Sequence, residues 1–290
     1  MSTAQPAPGA DSAEERLSHD RPVELSQHAL ARIGVQLDSL GDGWRFRLPV
    51  APQLLDDDAH VSFGVLGVFL DLAASQAPEM HERGHFVHAD ITIHRLDRPR
   101  GEQLIASARA ARMGKRSGII EIELHDEHGT HVARSVQEVV FPGGLPDPTP
   151  QAREQSRQAF FSQLVGRCTL EGSLEEHVQV ARSDEPGAPS WTIPLLERNR
   201  NGYGGLHGGV ATVLVDVAAS GAVAEASGRA ARTLSAAVRY LSPSRQGPIV
   251  ARPAVLRVDE ATGTAVVAVR VEDAKGRTTI IADVHVALVS

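Results

Sequence analysis

A chain of 290 residues with a net charge of −7 has room for two domains of ordinary size, and its acidic balance excludes the basic face that a nucleic-acid partner needs. Its single cysteine, Cys168, excludes an intramolecular disulfide framework and reads as a small buried residue of a chain from a reducing, cytoplasmic compartment. No run reaches the roughly 18 apolar residues of a membrane span, and the N-terminal stretch has neither the basic nor the apolar region of a secretory signal.

Residues 1–20 are expected to form a disordered tail. Residues 21–141 read as a first domain. It has an early strand at Trp44-Arg-Phe-Arg-Leu48, a turn, and one strongly apolar helix over about 65–76. Long alternating strands such as Ile119–Leu124 and Val132–Val140 follow, rich in β-branched residues with a period near two. The run Phe141-Pro-Gly-Gly-Leu-Pro-Asp-Pro-Thr-Pro150 can continue neither strand nor helix. It opens a linker, 142–165, that goes on as a polar helix from Gln151 to about Val165. Residues 166–290 repeat the order: a strand at Glu176–Val180, a Gly-rich turn, an apolar helix over about 209–221, and strands at Thr264–Val271 and Thr278–Leu288. A helix apolar on most sides must be buried on most sides, so the sheet of each half must wrap around it, which is an α+β arrangement.

The two halves are related in detail. Residues 61–75 read VSFGVLGVFLDLAAS and residues 206–220 read LHGGVATVLVDVAAS, with Gly64 opposite Gly209 and Asp71 opposite Asp216. The offset is 145 (216 − 71) and holds without a gap from Asp56/Asn201 to Leu96/Leu241. Further on, Asp126 and Gly129 fall opposite Asp273 and Gly276 at an offset of 147. Self-similarity at half the chain length means a duplicated domain.

The string Asn201-Gly-Tyr-Gly-Gly-Leu-His207-Gly208-Gly209, with Asp216 nine residues after the histidine, resembles the PaaI-like acyl-CoA thioesterases. Arg239-Tyr-Leu-Ser-Pro243 resembles the strand that follows it there. The close resemblance covers roughly 175–289, and the first half joins it through the duplication. It implies the hotdog fold, an antiparallel sheet wrapped around a central helix, here as two tandem hotdog domains forming a pseudo-dimer within one chain. It also implies hydrolysis of an acyl-CoA with no metal or redox cofactor, coenzyme A being part of the substrate. Double-hotdog chains of this kind are expected to associate further into a homo-oligomer.

A helix starting near Gly208 has N–H groups without intrahelical partners and partial positive charge, and glycines leave them open to a thioester carbonyl. Asn201 and His207 flank that oxyanion site with further polar groups. Asp216 lies about 10 Å up its own helix, too far to act there. In the family that this chain resembles, the acid acts across the interface between two helices, as nucleophile or as base. One site then joins Asn201, His207 and Gly208 to Asp71; the other joins Asp56, Ser62 and Phe63 to Asp216. The family carries a hydroxyl residue seventeen positions after the acid, which is Thr233 in the second half but His88 in the first. His88 is therefore either half of an unusual Asp/His pair or a solvated histidine. The basic turn Arg112-Met-Gly-Lys115-Arg116 is either a cradle for coenzyme A phosphates or a solvated hairpin.

Two other motifs are set aside. His81-Glu-Arg-Gly-His85 fits the zincin spacing, but Gly84 interrupts that helix and Pro78 precedes it, so no metal site is expected. The glycines at 202, 204 and 205 lack the strand and the acidic residue of a dinucleotide fingerprint. The rival of a thioesterase is a non-catalytic acyl-CoA-binding or sensing protein. Retention of both Asp71 and Asp216, costly in apolar helices, speaks against it.

Overall fold

The computed structural model describes residues 25–40, 43–80, 86–142, 149–183 and 189–289. The expected tail at 1–20 and the His81–His85 motif lie outside them. In the first half, α1 (Ala29–Arg32), β1 (Gln36–Leu40) and β2 (Gly43–Pro49) precede the core helix α2 (Phe63–Ala73). Strands β3 (Val87–Arg95), β4 (Gln103–Met113), β5 (Ser117–Asp126) and β6 (His131–Val140) complete it. The polar helix α3 (Pro150–Phe161) leads on to α4 (Leu174–Val178), β7 (Ala181–Arg182) and β8 (Trp191–Ile193). The second core helix, α5 (Gly208–Ser227), is followed by β9 (Ala231–Tyr240), β10 (Ile249–Asp259), β11 (Thr264–Glu272) and β12 (Thr278–Leu288).

All twelve strands form one sheet in the order β1-β2-β4-β5-β6-β3-β9-β12-β11-β10-β8-β7, the second half reversing the first. Every pairing between neighbours is antiparallel. The halves meet where β3 runs against β9, with Thr92 opposite Ala237. These two residues are internal counterparts (237 − 92 = 145), so a pseudo-two-fold axis passes between them.

The same axis passes between the helices. A Cβ on Gly67 would lie 2.6 Å from the Cβ of Thr212, its own counterpart (212 − 67 = 145). On either side, Gly64 sits against Val213 and Gly209 against the backbone of Val68. Small residues at 64, 67 and 209 thus let two apolar helices touch almost backbone to backbone, and the sheet covers their remaining faces. Of the apolar residues of α2, Val65, Leu66, Val68, Phe69 and Leu70 are fully buried, as are Val210, Val213, Leu214 and Val215 of α5.

Three expectations need correction. Glu176–Val180 is not a strand: Ser173 and Glu176 form a reciprocal capping box that starts α4, and Gln179 closes it in the left-handed region at φ 64°. Cys168 is half-buried, not fully buried. And α5, at 20 residues, is long and apolar enough to cross a membrane by composition, although it is mostly buried as a core helix. The sequence reading missed this because Asp216 interrupts the apolar run, whereas the helix continues through it.

The close crossing makes Gly67 a sensitive position. Gly67→Ala should lower stability by about 1–3 kcal/mol, the usual cost of overpacking, because Thr212 cannot rotate its Cβ away. A denaturant midpoint equal to that of the wild-type protein would show that the helices are not in contact there.

Candidate functional site

His207 is the N-cap of α5, and its Nδ1 accepts the Gly209 N–H at 3.1 Å. That bond fixes the neutral tautomer, because the remaining ring proton must sit on Nε2. Nε2 faces Asp71 Oδ2 at 3.4 Å, so the acid of the first half reaches the helix terminus of the second. Asp71 Oδ1 in turn faces His88 Nδ1 at 3.1 Å. A Cβ on Gly208 would come within 2.6 Å of Asp71 Oδ1, so glycine is required there to seat the carboxylate. The structure therefore brings Asp71, His88, His207 and Gly208 together.

A local irregularity aims His88. Ile91, Ile93 and Arg95 of β3 face inward, and strict alternation would turn His88 outward. The register shifts between His88 and Asp90, leaving Ala89 as a bulge that swings His88 back to the interior. The same shift occurs in β9 around Leu234 and buries Thr233, which is 1% exposed.

Two features of the expected oxyanion site change. The Gly209 N–H is taken by His207, which leaves the Gly208 and Val210 N–H groups at the helix start without an acceptor among the described residues, Gly208 being the one beside Asp71. Asn201 is committed to its own loop: its Oδ1 accepts from the Tyr203 and Gly205 N–H groups, and its Nδ2 lies 3.5 Å from the Leu206 carbonyl. Its counterpart Asp56 makes the same turn, accepting from Asp58 and His60. Asn201 thus shapes the Gly-rich loop, its Oδ1 engaged by two N–H groups and its Nδ2 by the long contact to Leu206.

Three residues outside the expected set complete the cluster. Tyr240 donates its hydroxyl to the Gly208 carbonyl at 2.9 Å. Burial, then Asp71 and Asp90, raise its phenol well above its ordinary range, so it stays protonated. His28 caps α1, and its ring meets that of His207 edge-on at 4.8 Å. Burial, aided by His207, lowers it to about 3, which keeps it neutral. The Tyr203 hydroxyl lies 3.4 Å from the Phe86 carbonyl and links the Gly-rich loop to the start of β3. The duplication could have marked two of these, since Tyr240 stands opposite Arg95 and His28 opposite Ser173, the N-cap of α4.

The second site is built differently. The Asp216 Oδ2 accepts the Gly64 N–H at 3.1 Å and so occupies the N-terminus of α2 itself. Phe63 turns its side chain into the core at 2% exposure. Arg95 replaces the tyrosine and bonds Asp56 at 2.7 Å, its other terminal nitrogen being buried without a partner. Thr233 lies beside Asp216, although its hydroxyl makes no well-formed hydrogen bond.

The two acids are charged differently by their surroundings. Burial would raise Asp71, but facing His88 and His207 outweighs it and holds the carboxyl below its ordinary value. Burial raises Asp216 to about 6, opposed by Thr233, Arg95 and the Gly64 N–H. His207 is lowered by burial, against the pull of Asp71. Among the described residues no group of three or more His, Cys, Asp or Glu could hold a metal ion.

A helix pair enclosed by a continuous antiparallel sheet, with an acid of each half at the helix terminus of the other, defines a double-hotdog protein. Comparison with known proteins agrees. The thioesterase superfamily matches residues 203–280, and the acyl-CoA thioesterase C-terminal domain matches residues 7–141. Each half of the chain thus matches a thioesterase family model, which supports thioester hydrolysis in general. A tesB protein of Mycobacterium avium subs paratuberculosis superposes with a TM-score of 0.61 at 10% identity, covering 92% of this chain and all of that one. The acyl-CoA thioesterase II TesB2 of Mycobacterium marinum gives 0.58 at 12% identity, over 90% of this chain and 97% of that one. The 12:0-ACP thioesterase of Umbellularia californica gives 0.56 at 11% identity, over 86% and 95%. At these identities the likeness is one of fold. No curated protein matches the sequence.

The unequal acids predict opposite stability profiles. A carboxyl at about 6 in the folded state and near 3.9 unfolded binds its proton more tightly when folded, so stability is lost as pH rises through that window, by about 3 kcal/mol in all. Asp216→Asn should therefore melt above the wild-type protein at pH 7.5, with the gap closing towards pH 4. Asp71, held below its ordinary value, contributes stability above its unfolded pKa and loses it as pH falls, so Asp71→Asn should melt lower at pH 7.5. A pH-independent difference for Asp216→Asn would mean that this carboxyl is not destabilised by burial.

Proposed function

We propose that the chain hydrolyses an acyl-CoA thioester at the Asp71 site, releasing the free acid and coenzyme A. The observation that carries this reading is the Asp71 carboxylate of one half seated at the N-terminus of α5 of the other, beside Gly208. The thioester carbonyl oxygen accepts from the Gly208 N–H, where the positive end of a 20-residue helix stabilises the charge that develops under attack. The helix terminus does the polarising that a Lewis acid would otherwise do, so the reaction needs neither metal nor redox cofactor. The Asn201–Gly209 string supports placing this half near the PaaI-like branch.

The rim of the site supports coenzyme A as the carrier. His88 pairs with Val139, Val139 with Gly118, and Gly118 with Met113, so the β4–β5 turn lies on the same edge, roughly 10 Å away at two strand spacings. That turn brings Arg112, Lys115 and Arg116 around a cavity of about 390 Å³, which Glu138 also lines. None of the three cations pairs with a carboxylate among the described residues. The corresponding row beyond Thr233 runs through Val286 and Ala265 to Val258 and ends at Asp259 and Glu260. Phosphates are attracted to the first rim, whereas at the second Arg257 and Arg229 are already paired with Asp259 and Glu260. In the Asp216 site the acid itself holds the Gly64 N–H and Phe63 stands where the first site has Gly208, so the Asp71 site is the working one in this reading.

The test is thiol release over short, long and aryl acyl-CoAs. Asp71→Ala should lower kcat by about a hundredfold or more, the scale of a lost acid–base group, and Asp216→Ala by far less. Full activity in Asp71→Ala with inactivation by Asp216→Ala would reverse the site assignment, and tight binding without turnover of any acyl-CoA would make the protein a sensor. Lys115→Glu combined with Arg116→Glu should raise KM for acyl-CoA about tenfold while leaving kcat nearly unchanged. An unaltered KM would remove the basic turn from the substrate site.

A further inference from the structure

The arrangement around Asp71 specifies which atom takes the proton, given the thioesterase reading of this site. Both carboxylate oxygens are already faced by ring nitrogens, Oδ1 by His88 Nδ1 at 3.1 Å and Oδ2 by His207 Nε2 at 3.4 Å. The second of these carries a proton, since His207 Nδ1 is accepting from Gly209. An ionised Asp71 draws the His88 proton to Nδ1 in the same way, which leaves His88 Nε2 as a lone pair. Among the described residues that Nε2 has no partner, and it is buried on a side chain only 10% exposed. A buried acceptor without a donor is costly, and such atoms call for an explanation in a catalytic role or a bound water. The bulge at Ala89 exists on this strand to hold the ring inward, where alternation would have put it outside.

We propose that His88 Nε2 is the general base of this hydrolysis, with Asp71 as its positioning partner and not the nucleophile. A water between Nε2 and the thioester carbon gives its proton to Nε2 as its oxygen forms the new C–O bond. The tetrahedral intermediate, its oxyanion on the Gly208 N–H, collapses with cleavage of the C–S bond. The proton on Nε2 passes to the departing sulfur, so acid and thiol leave and His88 returns to its starting state. Asp71 stabilises the imidazolium between the two transfers. The titratable groups acting on this ring from neighbouring elements are Asp71 of α2 and His207 at the head of α5; behind them stand His28 against the His207 ring and Tyr240 on the Gly208 carbonyl.

The experiment is kcat and KM of His88→Gln and His88→Thr from pH 4.5 to 9, on the acyl-CoA that the wild-type protein turns over best. Glutamine keeps an N–H donor for Asp71 but has no basic nitrogen; threonine is the residue of the internal counterpart Thr233. Both should lose about a hundredfold or more in kcat, keep KM within about twofold, and lose the acid limb of the kcat profile. A kcat within about threefold of wild type in either variant, with the acid limb intact, overturns the assignment and returns the base to Asp71. So does trapping of a covalent acyl-enzyme on Asp71 in the wild-type protein, which needs no variant to fold. Failure of the wild-type protein to release thiol from any acyl-CoA refutes the thioesterase reading itself.

Discussion

The contact between α2 and α5 at Gly67 and Thr212 sets the rest of the molecule. Two apolar helices of unrelated length approach until side chains are excluded at their crossing, and that closeness fixes where their polar residues end up. Each helix carries one acid past the crossing point, and each acid then lies at the other's first turn. An acid on an apolar helix is expensive in isolation. Here the first-turn N–H groups of the opposite helix, or the residues that cap it, provide partners that its own helix cannot. The packing of the core and the placing of the reactive groups are the same event.

One frame holds two electrostatic solutions. Around Asp71 stand two histidines and a tyrosine, and the carboxylate stays charged. Around Asp216 stand a threonine, an arginine already bonded to Asp56, and the helix N–H itself. The difference extends to the edge of the sheet, with cations unpaired among the described residues beyond the first acid and paired charges beyond the second. A site needs an unoccupied donor at its helix terminus to hold a carbonyl oxygen, and only the α5 terminus combines one with an open glycine. At the α2 terminus Phe63 takes the place of that glycine, and Asp216 holds the Gly64 N–H.

Much of this was legible in the sequence because the chain carries its own reference. The constant offset exposed the duplication, the glycines and the two acids, and a helix apolar on most sides implied a sheet around it. The tertiary details were not legible where one residue alters a regular pattern. Inward Ile91 and Ile93 put His88 on the outer face by simple alternation, so a solvated histidine was a reasonable reading until the bulge at Ala89 was seen. Asn201 has the chemistry of a donor, yet an Asx turn within its loop takes both ends of the amide. Glu176–Val180 alternates like a strand, but the reciprocal cap at Ser173 outweighs five residues of pattern. His28 lies before the stretch over which the two halves visibly align, and it reaches the site by setting its ring against that of His207.

The covalent join has a thermodynamic meaning of its own. In an assembly of separate hotdog subunits, a site shared between two copies exists only to the extent that the copies associate, and dilution dissolves it by mass action. Here the partner of α5 is the same chain, passed along α3, whose Phe161 stacks edge-on against Phe46 of the first half at 5.6 Å. The effective concentration of one half for the other is set by the tether and not by the amount of protein in solution. The Asp71 site therefore stays whole at any dilution, and a cell making very few copies of this chain would still hold every one of them complete.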